Sequence, residues 1–337
     1  MTRNGPRRHH YVAQFHQKHF AHNDGRLWVY DRRKRRYRKI HPLNICCEKE
    51  LYTIDPEGRR NRYVEQEWLS RVDGDAASAL RQFETGVLLN DEWKESFSVF
   101  MAQQITRGPA FRNLTFDNFR LMREQFLRIG LTDVVRARQL LENYRGATRD
   151  PAAERVTAEQ LVEDVAQGRV PVTVGNESFL IQMVRQVESL ARWIVGFDWE
   201  VVQSPAETGF ILSDYPFVLV PPSGRPDAFG FGFPGTTKYF PLTRRLCLRM
   251  KDPGYAFSYR RADKHAVRII NQNLAVNSER FIMGPSREQL EHVVSRSGTQ
   301  AMPVLPRTMS HVVETDRDRA LIGFTFWPNR IYFDPLP

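Results

Sequence analysis

The chain has 337 residues, 41% hydrophobic and 12% aromatic, which is enough for one large or two ordinary domains with a real core. Its net charge of +10 is confined to the front: residues 1–62 carry sixteen Lys and Arg against six Asp and Glu, whereas residues 63–337 balance at 33 against 33. There is no run of eighteen apolar residues, no apolar stretch behind the basic start and no C-x-x-C spacing among three cysteines, so the expectation is a cytoplasmic protein with reduced thiols, no membrane span and no secretory signal.

The opening stretch runs Arg7, Arg8, His9, His10, Tyr11, Val12, Ala13, Gln14, Phe15, His16, Gln17, Lys18, His19, Phe20, Ala21. Two adjacent histidines behind two arginines, followed by spaced aromatics, mark an ordered site element where a frayed tail would be the default. His9 and His10 are candidate ligands for a divalent cation, and either is a candidate proton carrier near neutral pH. His16, His19 and His22 recur every three residues, and that stripe is assigned to solvent.

Residues 26–30 alternate in the β manner and 37–40 read as a return strand, giving a hairpin around the basic run. The run comprises Arg32, Arg33, Lys34, Arg35, Arg36, Arg38 and Lys39 with Tyr37 interleaved. It reads either as a solvated hairpin tip or as a phosphate-binding patch for nucleic acid. No amphipathic helix adjoins it, so a membrane surface is not the expected partner. Residues 45–52 are expected to form a helical turn and 55–58 a turn.

Helical spacing then dominates over 63–84, 91–106, 115–144 with a break near 130–133, 157–168 behind a Thr157 to Gln160 capping box, and 178–195. Residues 146–153 read as a surface loop and 170–174 as extended. Beyond Trp199 short strands alternate with prolines and glycines at 200–203, 209–212, 217–220, 238–242, 246–250 and 255–259. A helix follows at 262–278, a strand at 280–283, a helix at 287–295, and extended stretches at 321–326 and 330–333. The fold class is α+β: a helical N-terminal half packed on a C-terminal β-rich half, with the N-terminal motif and hairpin in front. The regions are 1–62, 63–198 and 199–337, forming one unit.

Polar residues placed where packing wants hydrocarbon are the candidate functional groups. On the 63–84 helix the apolar face centres near Glu65, with Asp73 at its edge. Glu65 is either an inward glutamate paired with an arginine or a catalytic or metal-binding carboxylate. Gln104 lies among Phe97, Phe100 and Met101, one turn before Arg107, where the two could close a hydrogen-bonding network with Glu65. Asp214, in Ser213-Asp214-Tyr215-Pro216, is either an Asx-type turn residue or a strand-end metal ligand or general base. Asn271, Asn277 and Ser278 intrude on an apolar helix face and read as structural. The G-x-G-x-x-G match at 230–235 contains Pro234 and precedes strand-like residues, so it is a loop, and no P-loop, G-x-S-x-G or H-E-x-x-H motif occurs.

His9-His10-Tyr11-Val12-Ala13-Gln14-Phe15 with Phe20-Ala21, Leu27-Trp28-Val29-Tyr30, Glu50-Leu51-Tyr52, Val64-Glu65 with Val72-Asp73, Gln104 with Arg107, Ser213-Asp214-Tyr215-Pro216 and Phe240-Pro241-Leu242 together resemble the domain-of-unknown-function family 4238. The pieces cover most of the chain in order. Two departures are Ala13, where the family has proline, and Gln17, where it has leucine, so the opening helix is expected to be held less firmly. The resemblance implies a shared fold and no activity that carries over. Its pattern picks out His9, His10, Glu65, Gln104, Arg107 and Asp214.

The leading expectation is a metal-assisted phosphodiester hydrolase acting on nucleic acid. Glu65 and Asp214 would hold Mg or Mn, His9 or His10 would move a proton, and Arg107 would stabilise phosphate charge. The alternatives are a non-catalytic protein that binds nucleic acid or another protein around a buried polar network, and a hydrolase of a small phosphorylated ligand.

Overall fold

The computed structural model describes residues 8–53, 64–87, 90–131, 133–148, 150–170, 172–222, 230–254, 256–297, 308–316 and 319–326; at Glu65, Gln66 and Asp252 and throughout 308–316 and 319–326 the backbone alone is described. The chain opens with β1 (Arg8–His10), α1 (Gln14–Lys18), β2 (Leu27–Asp31), β3 (Arg36–Ile40) and β4 (Cys47–Lys49). A π-helical turn, Val64–Leu69, leads into α2 (Ser70–Thr85), followed by α3 (Asp91–Thr106), α4 (Pro109–Gly130), α5 (Val134–Thr148), α6 (Ala158–Ala166) and α7 (Asn176–Val195). Then come β5 (Phe197–Gln203), β6 (Leu212–Ser213), β7 (Val218–Val220), β8 (Thr237–Pro241), β9 (Leu246–Pro253), β10 (Phe257–Arg261), α8 (Lys264–Val276), β11 (Phe281–Gly284), α9 (Arg287–Ser297), β12 (Thr308–Asp316) and β13 (Arg319–Phe326).

Among the described residues the chain divides into two compact units, 8–112 with 180–297, and 113–179 with 308–316 and 319–326. In the first, α2, α3 and the end of α7 bury their apolar stripes against a five-stranded sheet of order β10-β5-β9-β8-β7. Its centre is aromatic: Phe83 meets Phe97 at 5.0 Å, Phe97 meets Phe100 at 5.4 Å, and Phe100 meets Phe240 of β8 at 6.1 Å. Each such ring contributes about 1.5–3 kcal/mol by leaving water. A second, antiparallel sheet of order β3-β2-β11-β6 carries α8 and α9, and β1 pairs with β4. The second unit has a small core of Leu131, Ala137, Leu141, Ala158 and Val165, and an antiparallel β12–β13 hairpin.

Local signals explain most boundaries. Asn90 caps α3 by accepting the Trp93 amide, Gly86 ends α2 at φ +75°, Pro109 opens α4, and the Thr157–Gln160 capping box of α6 is closed in both directions. The architecture is α+β, but the N-terminal half is not strictly helical: β2 and β3 join β11 and β6, from the other end of the chain, in one sheet, and the run of helices α2 to α7 is central. Residues 45–52 form no helical turn, because Cys46 (φ 52°) and Glu50 (φ 55°) take left-handed backbone on either side of β4. Residues 170 and 172–174 pair with no strand among the described residues, and 55–58 and 330–333 lie outside them.

Candidate functional site

The opening motif is held by pairing Arg8, His9 and His10 with Lys49, Glu48 and Cys47. That register turns His9 inward, where it is fully buried and stacks on Tyr52 at 5.5 Å with rings 7° apart. Its Nδ1 accepts the Tyr52 amide at 2.9 Å, which fixes the neutral Nε2–H tautomer. The Tyr52 hydroxyl donates to the Arg107 carbonyl at 2.8 Å, closing the end of α3. Arg107, fully buried, donates from Nε to the Tyr11 carbonyl at 3.0 Å and from Nη1 to Asp73 at 2.9 Å. With its amide oxygen turned toward the guanidinium, Gln104 accepts from Nε at 2.9 Å and also from Nη2. Burial raises the Asp73 carboxyl, and Arg107 opposes that rise. A carboxylate, a guanidinium, two backbone carbonyls and the side chains of His9, Tyr52 and Gln104 therefore form one network around the motif.

His10 points the other way and is half-buried. Its ring lies 3.2 Å from the Leu43 carbonyl and 3.3 Å from the Gln14 amide. Burial lowers its pKa, the Leu43 hydrogen bond resists, and the Arg107 charge acts with burial. Ala13 precedes α1 at φ −56°, the angle proline would impose, and Gln17 replaces a leucine contact with hydrogen bonds to the carbonyls of Val12 at 2.8 Å and Ile45 at 3.4 Å. The Gln17 side-chain oxygen, by contrast, is buried with no partner among the described residues. His16 leaves the solvent stripe assigned to it: it is buried, stacks on Phe240 at 5.2 Å and lies 2.6 Å from the Pro241 carbonyl. His22 faces outward beside Asp24, and His19 is half-buried beside Glu84.

Asp214 follows β6 and is 8% exposed. Its Oδ1 accepts the Glu279 amide at 2.9 Å, and its Oδ2 accepts those of Arg280 at 2.7 Å and Phe281 at 3.0 Å. Burial pushes its pKa up to about 7, against the pull of those three amides. The carboxylate joins the end of α8 to β11 across 65–67 residues of sequence, a longer reach than an Asx turn. Burial, then the charges of Cys46 and Asp214, raise the buried Tyr11 hydroxyl, whose backbone carbonyl accepts from Arg107. Glu65 lies in the π-helical turn, and its side chain is outside the described residues. Among the described residues no group of three or more His, Cys, Asp and Glu is arranged to hold a metal ion.

The basic run divides by role. Arg32 is buried and donates to Ser278 at 2.7 Å and to the Ala275 carbonyl at 2.6 Å. Asp31, fully buried, draws Arg280 at 3.1 Å and Arg38 at 3.9 Å, and its Oδ1 accepts the amides of Arg33 and Lys34, shaping the tip. Lys39 pairs with Asp24 at 2.7 Å and Arg33 with Glu279 at 3.5 Å. Lys34, Arg35 and Arg36 are exposed and have no ion-pair partner among the described residues. Arg35 takes the left-handed backbone that the turn requires, at φ 47°.

Of the residues singled out from the sequence, His9, Gln104 and Arg107 meet in one network with His10 at its edge, Asp214 occupies a separate set of hydrogen bonds, and the cations of the run are split between the sheet and the tip. Tyr52 and Asp73 complete the network. Asp73 showed at the edge of its helix face, whereas the role of Tyr52 depends on a strand pairing that no local pattern encodes.

The model of a family described as a protein of unknown function, DUF4238, matches residues 8–288. No curated protein and no solved structure matches the chain.

Proposed function

The chain belongs to the DUF4238 family, and from that premise we propose that it binds nucleic acid, without cutting it, through the tip of the β2–β3 hairpin. The observation that carries this reading is the segregation of charge at the tip. The carboxylates that the turn itself engages, Asp31 and Glu279, are fully or largely buried, while Lys34, Arg35 and Arg36 face solvent unpaired among the described residues. Tyr37, the aromatic of the run, packs on Tyr30 at 4.7 Å, with the Arg287 guanidinium 5.6 Å above it. The tip therefore offers point charges to phosphates and no free stacking platform for bases, so the binding is independent of sequence.

The proposed catalytic groups are engaged elsewhere. Arg107 is satisfied by Gln104, Asp73 and a carbonyl, Asp214 by three amides, and His9 by Tyr52. A metal at Asp214 would have to displace backbone donors that hold β11.

The test is fluorescence anisotropy with a labelled oligonucleotide over a salt series, on the wild type and on a Lys34→Ser, Arg35→Ser, Arg36→Ser variant. The slope of log K against log salt is expected to fall in magnitude by about 2–3 in the variant, since each phosphate contact contributes roughly 0.7–0.9. An unchanged slope defeats the reading. Cleavage of the oligonucleotide with Mg or Mn that disappears in Glu65→Gln would replace it with the hydrolase, in which Glu65 and Asp214 hold the cation and His9 or His10 carries the proton.

A further inference from the structure

A cleft of about 540 Å³ lies at the far end of α8 from the hairpin tip, between the first turns of α8 and α9 and the segment 206–209. Arg244, Arg245, Lys264 and Arg268 line it, against Glu207 and Glu288. Arg244, Lys264 and Arg268 have no carboxylate partner among the described residues, in a part of the chain whose total charge is balanced. His292, also in the lining, is lowered by burial and then by Arg296 and Arg268, as a group inside a positive field should be.

The walls are built and braced. Asn271 and Gln289 both donate to the Gly209 carbonyl, at 2.8 and 2.6 Å, and the Asn271 oxygen accepts the Ile211 amide at 3.0 Å. Arg245 is fixed by the carbonyls of Pro205 at 2.8 Å and Thr208 at 2.6 Å. A Cβ on Gly209 would stand 2.8 Å from the Arg244 carbonyl, so the close approach of these two strands of chain needs glycine there. At the α9 end, Ser286, itself in the lining, caps the 11-residue helix by accepting the Gln289 amide at 3.2 Å.

We propose that this cleft binds a small phosphate-bearing molecule, held by Arg244, Lys264 and Arg268. Its volume lies within the range of about 300–1,000 Å³ typical of small-ligand sites. Glu207 and Glu288 in the lining act against an extended polyanion, while three cations without a carboxylate partner among the described residues remain for a single phosphate group. The site stands on residues that the hairpin reading does not use, and either can fail without the other.

Titration calorimetry on the full chain, with pyrophosphate, inorganic phosphate and a nucleoside monophosphate in chloride buffers of matched ionic strength, tests it. Saturable binding of at least one probe is expected, weakened about tenfold or more in Arg268→Ser and in Lys264→Ser with unchanged melting temperature, and retained in the hairpin triple variant. Tighter binding of the nucleoside monophosphate than of inorganic phosphate identifies an organic phosphate ester, and the reverse a free phosphate. Absence of saturable binding by all three probes, or equal binding by the wild type and both cleft variants, overturns the proposal.

Discussion

His16 places an imidazole in the aromatic centre of the first unit, with Phe15, Phe20, Phe100 and Phe240 within ring contact. Its Nε2 donates to the Pro241 carbonyl, its Nδ1 has no partner among the described residues, and burial lowers its pKa to about 3. The unfolded chain takes up this proton near pH 6.5 and the folded chain does not, so stability present above that pH is lost as pH falls from about 6.5 toward 3. The slope is about 1.4 kcal/mol per pH unit, so going from pH 6.5 to 5 should cost about 2 kcal/mol. Urea unfolding at a series of pH values on wild type and His16→Phe checks it, since the phenylalanine keeps the ring stack and removes the titration. Equal slopes for the two proteins would show that His16 is not the group responsible. The sequence shows three histidines at even spacing and nothing to say that one faces inward, because α1 is too short for its apolar face to declare itself. Asp214 is the opposite case: its intrusion among apolar residues is plain in the sequence, but its three amide partners lie beyond α8 and appear only once β6 pairs with β11.

Arg107 joins elements. It ends α3, holds the carbonyl between β1 and α1, and reaches Asp73 in the first turn of α2, so three segments far apart in sequence share one guanidinium. Removing one member of such a buried pair leaves the other charge uncompensated, at a cost of about 3–5 kcal/mol. Arg107→Ala is expected to lose that much in denaturant unfolding, and Arg107→Lys to lose much of it, because an ammonium cannot bridge Tyr11, Gln104 and Asp73 in one plane. Asp73→Asn should cost less, and a double-mutant cycle with Arg107→Lys should show coupling. Full stability in Arg107→Ala would remove the network from the scaffold and leave a functional role as the reason for its burial. At this scale the sequence is most informative where periodicity or capping is strong: α3 over 91–106, the α6 capping box and the β2–β3 hairpin are all readable. It misleads at 45–52, where two non-glycine residues with positive φ interrupt an apolar spacing that looks helical, since backbone handedness at Cys46 and Glu50 is set by the pairing of β4 with β1.

For the molecule as a whole, the sum of charges reveals the basic front and hides the cleft, because a segment balanced at 33 against 33 is still locally segregated once α8, α9 and residues 244–245 come together. The two cationic surfaces belong to the same unit and sit at opposite ends of α8: Lys264 in its first turn lines the cleft, and Arg32, at the base of the hairpin tip, donates to Ala275 in its last. Lys264 and Ala275 lie eleven helical residues apart, about 17 Å at 1.5 Å rise per residue, and Arg268 lies about 10 Å from Ala275 along the same axis. Both distances exceed the Debye length of about 8 Å at physiological ionic strength and fall inside the roughly 30 Å found at 0.01 M. The surfaces should therefore act independently at physiological salt and sense each other when salt is low. Arg268→Ser is expected to leave oligonucleotide affinity unchanged near 0.15 M and to weaken it at about 0.01 M, whereas the hairpin triple variant should weaken it at both. Anisotropy titrations of the two variants and their combination at both salt concentrations measure this directly. If Arg268→Ser costs as much as a tip residue at physiological salt, the polyanion must run along α8 from tip to cleft, and the two sites are one track.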